Sequence, residues 1–503
     1  MLGLLNKKSG HPMSDIKSAQ MLLLDLPKND ALKSLHEVSA WIESSREQDE
    51  FRLDHQFEVL RMLDETARQY ERKLMREYYT AVGLSLYQEN RLWMALNAFS
   101  TQILLAYLNV QVRYRNGDKG AAAIKEMMPL IAARGINAVT GMLKSAAARH
   151  ALFDQAIWAS LAEFYAHAEE QNYLDEPVAL YNGAGGKTSV RSEFGTALMW
   201  YASSFGTLAR LPMHLAERLI SHLGSNFTVS AQHEPGSLFS FDLEYPMSPM
   251  RLATETSSSP SLRFIGVGTF QPQIDALLKT LEKNLVPEGV NLGGTYEAKD
   301  LHIAARHLAE RLKFPPPKRR SKRHNVKVSL SVANGFSGIM EQSIGLNFGS
   351  NDSQVWQVED ISVSGIRCIL PASAANGVVV GSLVGIKPEK MEHWGVGIVR
   401  RLNCDPKKNL HVGIEMLANQ VIGVGVRERD ADEASHALWL DNPGGDAGEV
   451  DLLMSPDIFT SSRSLHTQVE GRKYLLMPLK LVERGADYDL ARYRKVEEDS
   501  RPD

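Results

Sequence analysis

The apolar residues of this 503-residue chain change their period partway along, and that change restricts the fold more than any other feature. In the first part they recur every three or four positions. Leu32, Leu35, Val38 and Ile42 share one helix face, with Asn29 or Asp30 placed to cap it. Leu53, Phe57, Leu60, Leu63, Ala67, Tyr70, Leu74 and Tyr78 continue the pattern. They stand opposite a charged face of Asp54, Glu58, Arg61, Glu65, Arg68, Glu71 and Arg72. Such a stripe suits a coiled-coil dimer or a bundle within one chain. The further apolar helical segments Leu92 to Val112, Ala121 to Phe164 and Phe194 to Leu223 favour the bundle.

From Val326 the period becomes two. Val326, Val328, Leu330 and Val332 alternate, Val355 and Val358 follow around Trp356, and Ile366 to Leu370 and Ser382 to Ile386 are apolar runs. Trp394, Val396 and Ile398 alternate, as do Val412, Ile414 and Met416, with Asn403-Cys404-Asp405-Pro406 as the turn between them. Short strands punctuated by Gly, Pro and Asn predict a small antiparallel barrel. Between the two regimes, Phe227 to Ser230, Leu238 to Leu243 and Leu262 to Val267 read as strands. Ile274 to Leu285 and Ala298 to Leu312 read as helices, the second ended by Pro315-Pro316-Pro317. Past the barrel, Glu449 to Met454 and Tyr474 to Val482 read as strands that extend it, and Val496 to Asp503 as a frayed charged tail.

Charge and cysteine content exclude several classes. A net charge of −4 does not make a general nucleic-acid-binding surface, so no DNA or RNA partner is expected. Cys368 and Cys404 are too few for a disulfide framework or a zinc site, and both are expected to be buried or inert in a reducing cytoplasm. No apolar run reaches membrane-spanning length, and Met1 to Lys8 is too short and too polar for a signal peptide. The reading is cytoplasmic, with no membrane partner.

Two motifs carry recognisable chemistry. Arg319-Arg320-Ser321-Lys322-Arg323 has the form R-x-x-x-R, and Asp360-Ile361-Ser362-Val363-Ser364-Gly365 has the form D-x-S-x-x-G. A guanidinium forks onto phosphate oxygens, pairs bidentately with the O6/N7 edge of guanine and stacks on purines. A carboxylate accepts the N–H donors of guanine's Watson–Crick edge, a serine hydroxyl can donate or accept, and glycine permits a tight turn or a close approach. In isolation the first motif reads as a solvated basic linker and the second as an ordinary Asp/Ser turn. In this order, within strand patterning from Lys318 to Val426, the pair resembles the PilZ domain family. The resemblance implies a bacterial receptor for cyclic di-GMP. Arg319 and Arg323 would act on phosphate and guanine, Asp360, Ser362 and Gly365 would form the guanine site, and Arg320 would be a weaker contributor. Arg400, on the face of Trp394, and Arg401, facing the other way, are weaker candidates for supporting phosphate contacts, of which at most one would help.

The expected architecture is multidomain α+β. It comprises an N-terminal extension (1–28), a helical bundle (29–224), an α+β module (225–314), a PilZ-like antiparallel β-barrel with its arginine linker (315–430), and a C-terminal β extension and tail (431–503). Occupancy of the barrel would be coupled to rearrangement of the helical region, which would meet a protein partner. The alternative is a PilZ-like interaction scaffold that binds no nucleotide.

Other motifs fail on chemistry. Gly186-Lys187-Thr188 ends like a phosphate loop, but Tyr181 stands where the first glycine is required, and the preceding segment reads as helix. Gly444-Gly445-Asp446 lacks the rest of a cyclic di-GMP synthase signature. The string His-Leu-Ala-Glu-Arg-Leu occurs at His214 and again at His307, and is read as exposed helix ends rather than as metal ligands. With no nucleophile elbow, metal cluster or paired carboxylates, the chain reads as a binding protein rather than an enzyme, with neither metal nor cofactor.

Overall fold

Where the three-to-four spacing runs behind a capping residue, helix follows. In the computed structural model, which describes residues 10–498 apart from 82, 152, 183–185, 204, 253–258, 289, 291, 314–321, 345–353, 363–364, 376, 406, 429–433, 442–447 and 486, Asp15 caps α1 (Ile16–Leu24) and Asp30 caps α2 (Ala31–Arg46). The long amphipathic stripe is α3 (Leu53–Thr80), and a Ser85/Gln88 capping box starts α4 (Leu86–Arg115). The helical stretch read over 121–164 comprises a 3₁₀ turn (Ala121–Met127), α5 (Met128–Ala148) and the first part of α6 (Gln155–Glu170). Helices α7 (Val190–Ala202), capped by Ser189, and α8 (Arg210–Leu223) follow. The chain divides in the main into two compact units, one of residues up to Lys313 and one from Lys322 onward.

Helix α5 is the axis of the first unit. Ile131, Ile136, Val139 and Leu143 are fully buried, and α4, α6 and α7 pack around it. Gly135 lets the Phe164 ring lie against the helix, since a Cβ there would fall 2.2 Å from the ring. Strands β1 (Thr228–Ser230), β2 (Ser237–Asp242), β3 (Met250–Arg251) and β4 (Leu262–Gly266) form an antiparallel sheet in the order β1-β4-β2-β3. Helices α9 (Phe270–Leu281) and α10 (Ala298–Arg311) complete the unit. The sheet and these helices are not a separate module. Phe241 packs on Trp158 and Phe194, and α10 lies against α8, so the boundary expected at 225 falls inside one packed body.

Buried charge in this unit is paired. Asp64, fully buried, accepts from the Tyr107 hydroxyl at 2.6 Å and from Arg68, and the guanidinium groups of Arg68 (4.3 Å) and Arg134 (4.6 Å) both lie over the Tyr181 ring. Lys144 donates to Glu217 at 2.6 Å and lies 3.0 Å from His214 Nδ1. His214 and Glu217 are therefore buried, contrary to the exposed helix end expected of the first His-Leu-Ala-Glu-Arg-Leu string. In the second copy, His307 Nε2 lies 2.6 Å from the Ser203 carbonyl, while Glu310 stays at the surface with Arg306. Among the described residues, no cluster of His, Cys, Asp and Glu could hold a metal, and no helix is long and apolar enough to cross a membrane.

The second unit contains two barrels. Strands β5 (His324–Asn325) and β6 (Ser329–Asn334), helix α11 (Gly335–Ile344), and strands β7 (Gln354–Ser362), β8 (Gly365–Pro371), β9 (Leu383–Pro388), β10 (Gly395–Cys404) and β11 (Asn409–Ala418) build the first. Their order is β5-β7-β6-β9-β10-β11-β8, and β7–β8 pairing closes the sheet around Leu330, Val332, Trp356, Cys368, Val399 and Val412. Strands β12 (Gln420–Arg427), β13 (Ser435–Asp441), β14 (Glu449–Met454), β15 (Leu465–Val469), β16 (Arg472–Arg484) and β17 (Asp489–Glu497) close a separate six-stranded barrel in the order β12-β13-β14-β17-β16-β15. The C-terminal segment thus does not extend the first barrel. The division lies at 418–420 rather than 430, and Val496, expected to fray, pairs with Leu475 inside the sheet. Helix α11 was not foreseen, because Gly335 and Gly338 weaken its pattern. Its Phe336, Ile339 and Met340 enter an apolar cluster with Trp394 and Ile398 of the first barrel and Leu438 and Leu453 of the second.

The largest histidine contribution to the pH response of the first unit comes from His214. Burial, and then the Lys144 ammonium, lower its pKa from 6.5 to about 2. The unfolded chain takes up this proton near pH 6.5 and the folded chain does not, so the site withdraws stability as pH falls below 6.5. The loss is up to about 1.4 kcal/mol per pH unit. Chemical denaturation at pH 7 and pH 5 should show this decline, and His214→Gln should make it shallower, with the remainder coming from His307 and His167, whose pKa burial also lowers. An equally steep slope in the variant would exclude His214 as its source.

Candidate functional site

The geometry of the second motif begins with one extra residue. Along β7 the register against β8 passes from Val358↔Cys368 to Asp360↔Arg367, so Glu359 is a bulge. Before it, Trp356 and Val358 point into the barrel, and Cys368 opposite Val358 is fully buried. Beyond it, Asp360 stands across from Arg367, next to that inward cysteine, and cross-strand partners share a face. The bulge therefore moves the end of β7 from core duty to the outer face. Ser362 pairs with Gly365 to finish the hairpin, and the Ser362 hydroxyl donates to the Gly365 carbonyl at 3.2 Å.

Strand β5 brings the first motif to the second. His324 pairs with Ile361 and Asn325 with Asp360, which sets Arg323 beside the end of β7. Arg323 Nη1 donates to both oxygens of Asp360, at 2.9 and 3.1 Å. The Asp360 side chain is 12% exposed and that of Arg323 is 50% exposed. Only the arginine is half in water, so a ligand that draws it toward phosphate must also give the nearly buried carboxylate N–H donors in its place. Arg319 and Arg320 lie outside the described residues, so of the first motif the structure places Lys322 and Arg323.

Gly365 has ordinary extended backbone and is needed for packing rather than for a turn. A Cβ there would lie 2.7 Å from the Ile414 carbonyl oxygen of β11. Arg400 faces the second barrel, as its place on the face of Trp394 implies, and it is occupied there. It donates to both Glu483 oxygens at 2.7 Å and to Glu415 at 2.7 Å, and these carboxylates raise its pKa. Arg401 is exposed.

A neighbouring polar group on the same face escaped the sequence reading. Arg367 Nε donates to Glu359 Oε2 at 2.8 Å, and His411 Nδ1 lies 2.7 Å from the same oxygen. Arg367 stands two positions after Gly365, a spacing that puts it on the outer face once the strand is known. The bulge that brings Glu359 alongside leaves no mark in the alternation. Cys368 directly beneath is buried, and burial pushes its thiol up to about 12, which keeps it inert at neutral pH. Burial also raises the Cys404 thiol.

Over residues 17–234 the chain is similar to the family described as cyclic-di-GMP receptor FimW, N-terminal domain. That similarity covers the helical region and stops well short of the two motifs. No curated protein and no solved structure matches the chain.

Two measurements test this geometry. Gly365→Ala should lower unfolding free energy by about 1–3 kcal/mol through the clash with the β11 backbone, and unchanged stability would mean that the strands can separate freely. A double-mutant cycle on Arg323→Ala and Asp360→Ala, read by chemical denaturation, should give a coupling of about 1–2 kcal/mol, between an exposed pair and a buried one. A much larger coupling would mean a locked structural pair rather than one that a ligand can open.

Proposed function

We propose that the protein is a cyclic di-GMP receptor whose ligand docks on the outer face of the β7–β8 hairpin. The observation that carries the reading is the hydrogen-bonded meeting of Arg323 with Asp360, two motif residues far apart in sequence that β5–β7 pairing brings to one edge of the barrel. The similarity of residues 17–234 to a cyclic di-GMP receptor's N-terminal domain supports it from an independent part of the chain. In this reading Asp360 exchanges Arg323 for guanine N–H donors. Arg323 and Arg319 turn to phosphate oxygens and the O6/N7 edge of guanine, and Ser362 adds a hydroxyl contact. The chemistry is binding rather than catalysis, and the site of action is the cytoplasm.

Ligand that holds the arginine segment against the barrel favours whichever domain arrangement permits that closure, and the shift is limited by its differential affinity for the closed state. A protein partner would read this shift through the helical region. The intercalated dimer of cyclic di-GMP, with its four phosphates, would also engage Arg320.

Calorimetric titration of the full chain with cyclic di-GMP, with GTP and cyclic GMP as controls, tests the proposal. Binding should be saturable near or below micromolar and absent for the controls. Arg319→Ala, Arg323→Ala and Asp360→Ala should each weaken it about tenfold or more, as expected for loss of a charge-assisted contact. No heat together with an unchanged melting temperature would leave an interaction scaffold, and normal affinity in all three variants would place the ligand elsewhere.

A further inference from the structure

The first unit holds a cleft of about 530 Å³, within the range of small-molecule sites. Its walls come from α3, α4, α5, α7 and α8, and Gly186-Lys187-Thr188 lies along it. The tripeptide that failed as a phosphate loop thus borders a cavity. Gly186 adopts the left-handed conformation (φ 109°), Thr188 bridges to Val178, and Ser189 then caps α7.

The carboxylates of this cleft are already committed. Glu71 accepts from Arg68 at 2.8 Å and Glu217 from Lys144 at 2.6 Å. Glu193 accepts from the Thr188 hydroxyl at 2.8 Å and from Asn137 Nδ2 at 3.2 Å, and burial raises its pKa toward the neutral form. The cations are in surplus. Arg72 and Lys187 line the cleft without an ion pair among the described residues. Arg218 Nε is buried without a hydrogen-bond partner among them, and Arg218 meets Glu217 only at 3.6 Å. The buried hydroxyl of Tyr181, another lining residue, is likewise without a partner among the described residues. Buried donors without acceptors cost free energy unless something fills the role.

We propose that this cleft binds a small organic phosphate of about nucleoside-monophosphate size, its phosphate held by Arg72, Lys187 and Arg218. Three cations from three separate elements suit a dianion better than a single carboxylate. Ser100 and Thr196, which also line the cleft, offer hydroxyls to a sugar. The site lies wholly within the first unit and is independent of the barrel reading.

The test is calorimetry on the full chain at low ionic strength, with GMP, ribose 5-phosphate and inorganic phosphate as probes. GMP or ribose 5-phosphate should bind saturably. Binding should weaken at least tenfold in Arg72→Ala/Lys187→Ala, whose exposed positions leave folding intact, and should be unchanged in Arg323→Ala/Asp360→Ala. Three outcomes would overturn the proposal: no binding of either organic phosphate at millimolar concentration, equal affinity for inorganic phosphate, or loss of binding only in the barrel variant. Each leaves cyclic di-GMP titration of the barrel as a separate result.

Discussion

The second unit depends on an apolar layer that neither barrel can bury alone. Strands β10 and β13 are apolar on both faces. Val399 and Leu402 fill the first barrel and Ala437 and Trp439 the second, while Val396, Ile398, Leu438 and Leu440 face outward into a shared cluster. Outward apolar residues would otherwise lie in water, at about 25 cal/mol for each Å² exposed. Helix α11 completes the layer where glycines admit it. A Cβ on Gly385 would lie 2.9 Å from Ile339, and one on Gly423 would lie 2.6 Å from Ser343. Asp487, in the turn before β17, accepts the Phe336 backbone N–H at 3.0 Å and so anchors the start of the helix. Polar contacts flank the layer: Arg400 forks onto Glu483, which also accepts from the Tyr488 hydroxyl at 2.9 Å.

The candidate ligand face lies at the end of β7, which β5 and β8 flank as paired strands. One bulge at Glu359 converts β7 from an inward-facing core strand into a polar terminus, and the short β5 delivers Arg323 to it. Rigid strands hold Asp360 and Ser362, whereas Arg323 is half in solvent. The division suits recognition: the groups that read a base edge stand on the scaffold, and the group that meets phosphate keeps rotamer freedom.

The helical unit handles charge differently. Buried Asp64 accepts from Arg68, buried Arg134 donates to Glu65, and buried Lys144 donates to Glu217, and removing one partner from such a pair would strand an uncompensated charge. His214 stays neutral beside Lys144, and the cleft next to this network is where cations exceed the carboxylates available to them.

The sequence by itself determined the kinds of element and much of their placement. A period of three to four residues made helices of 31–46 and 53–80 because each could bury one stripe, and Asp30 capped as its position implied. Period two made strands of 395–404 and 409–418, and the order and spacing of the two motifs, by their resemblance to a known family, marked the candidate site. Three features were decided only by tertiary structure. Closure of a second barrel depends on β12 pairing with β13 and β15, contacts that alternation does not encode. Helix α11 has an interrupted apolar pattern and is held by glycine-lined strands and by Asp487 from a distant turn. The outward turn of Asp360 depends on a single unpaired residue, which shifts register without altering composition. Local patterns record which residues prefer burial, but which surface buries them is set by partners far along the chain.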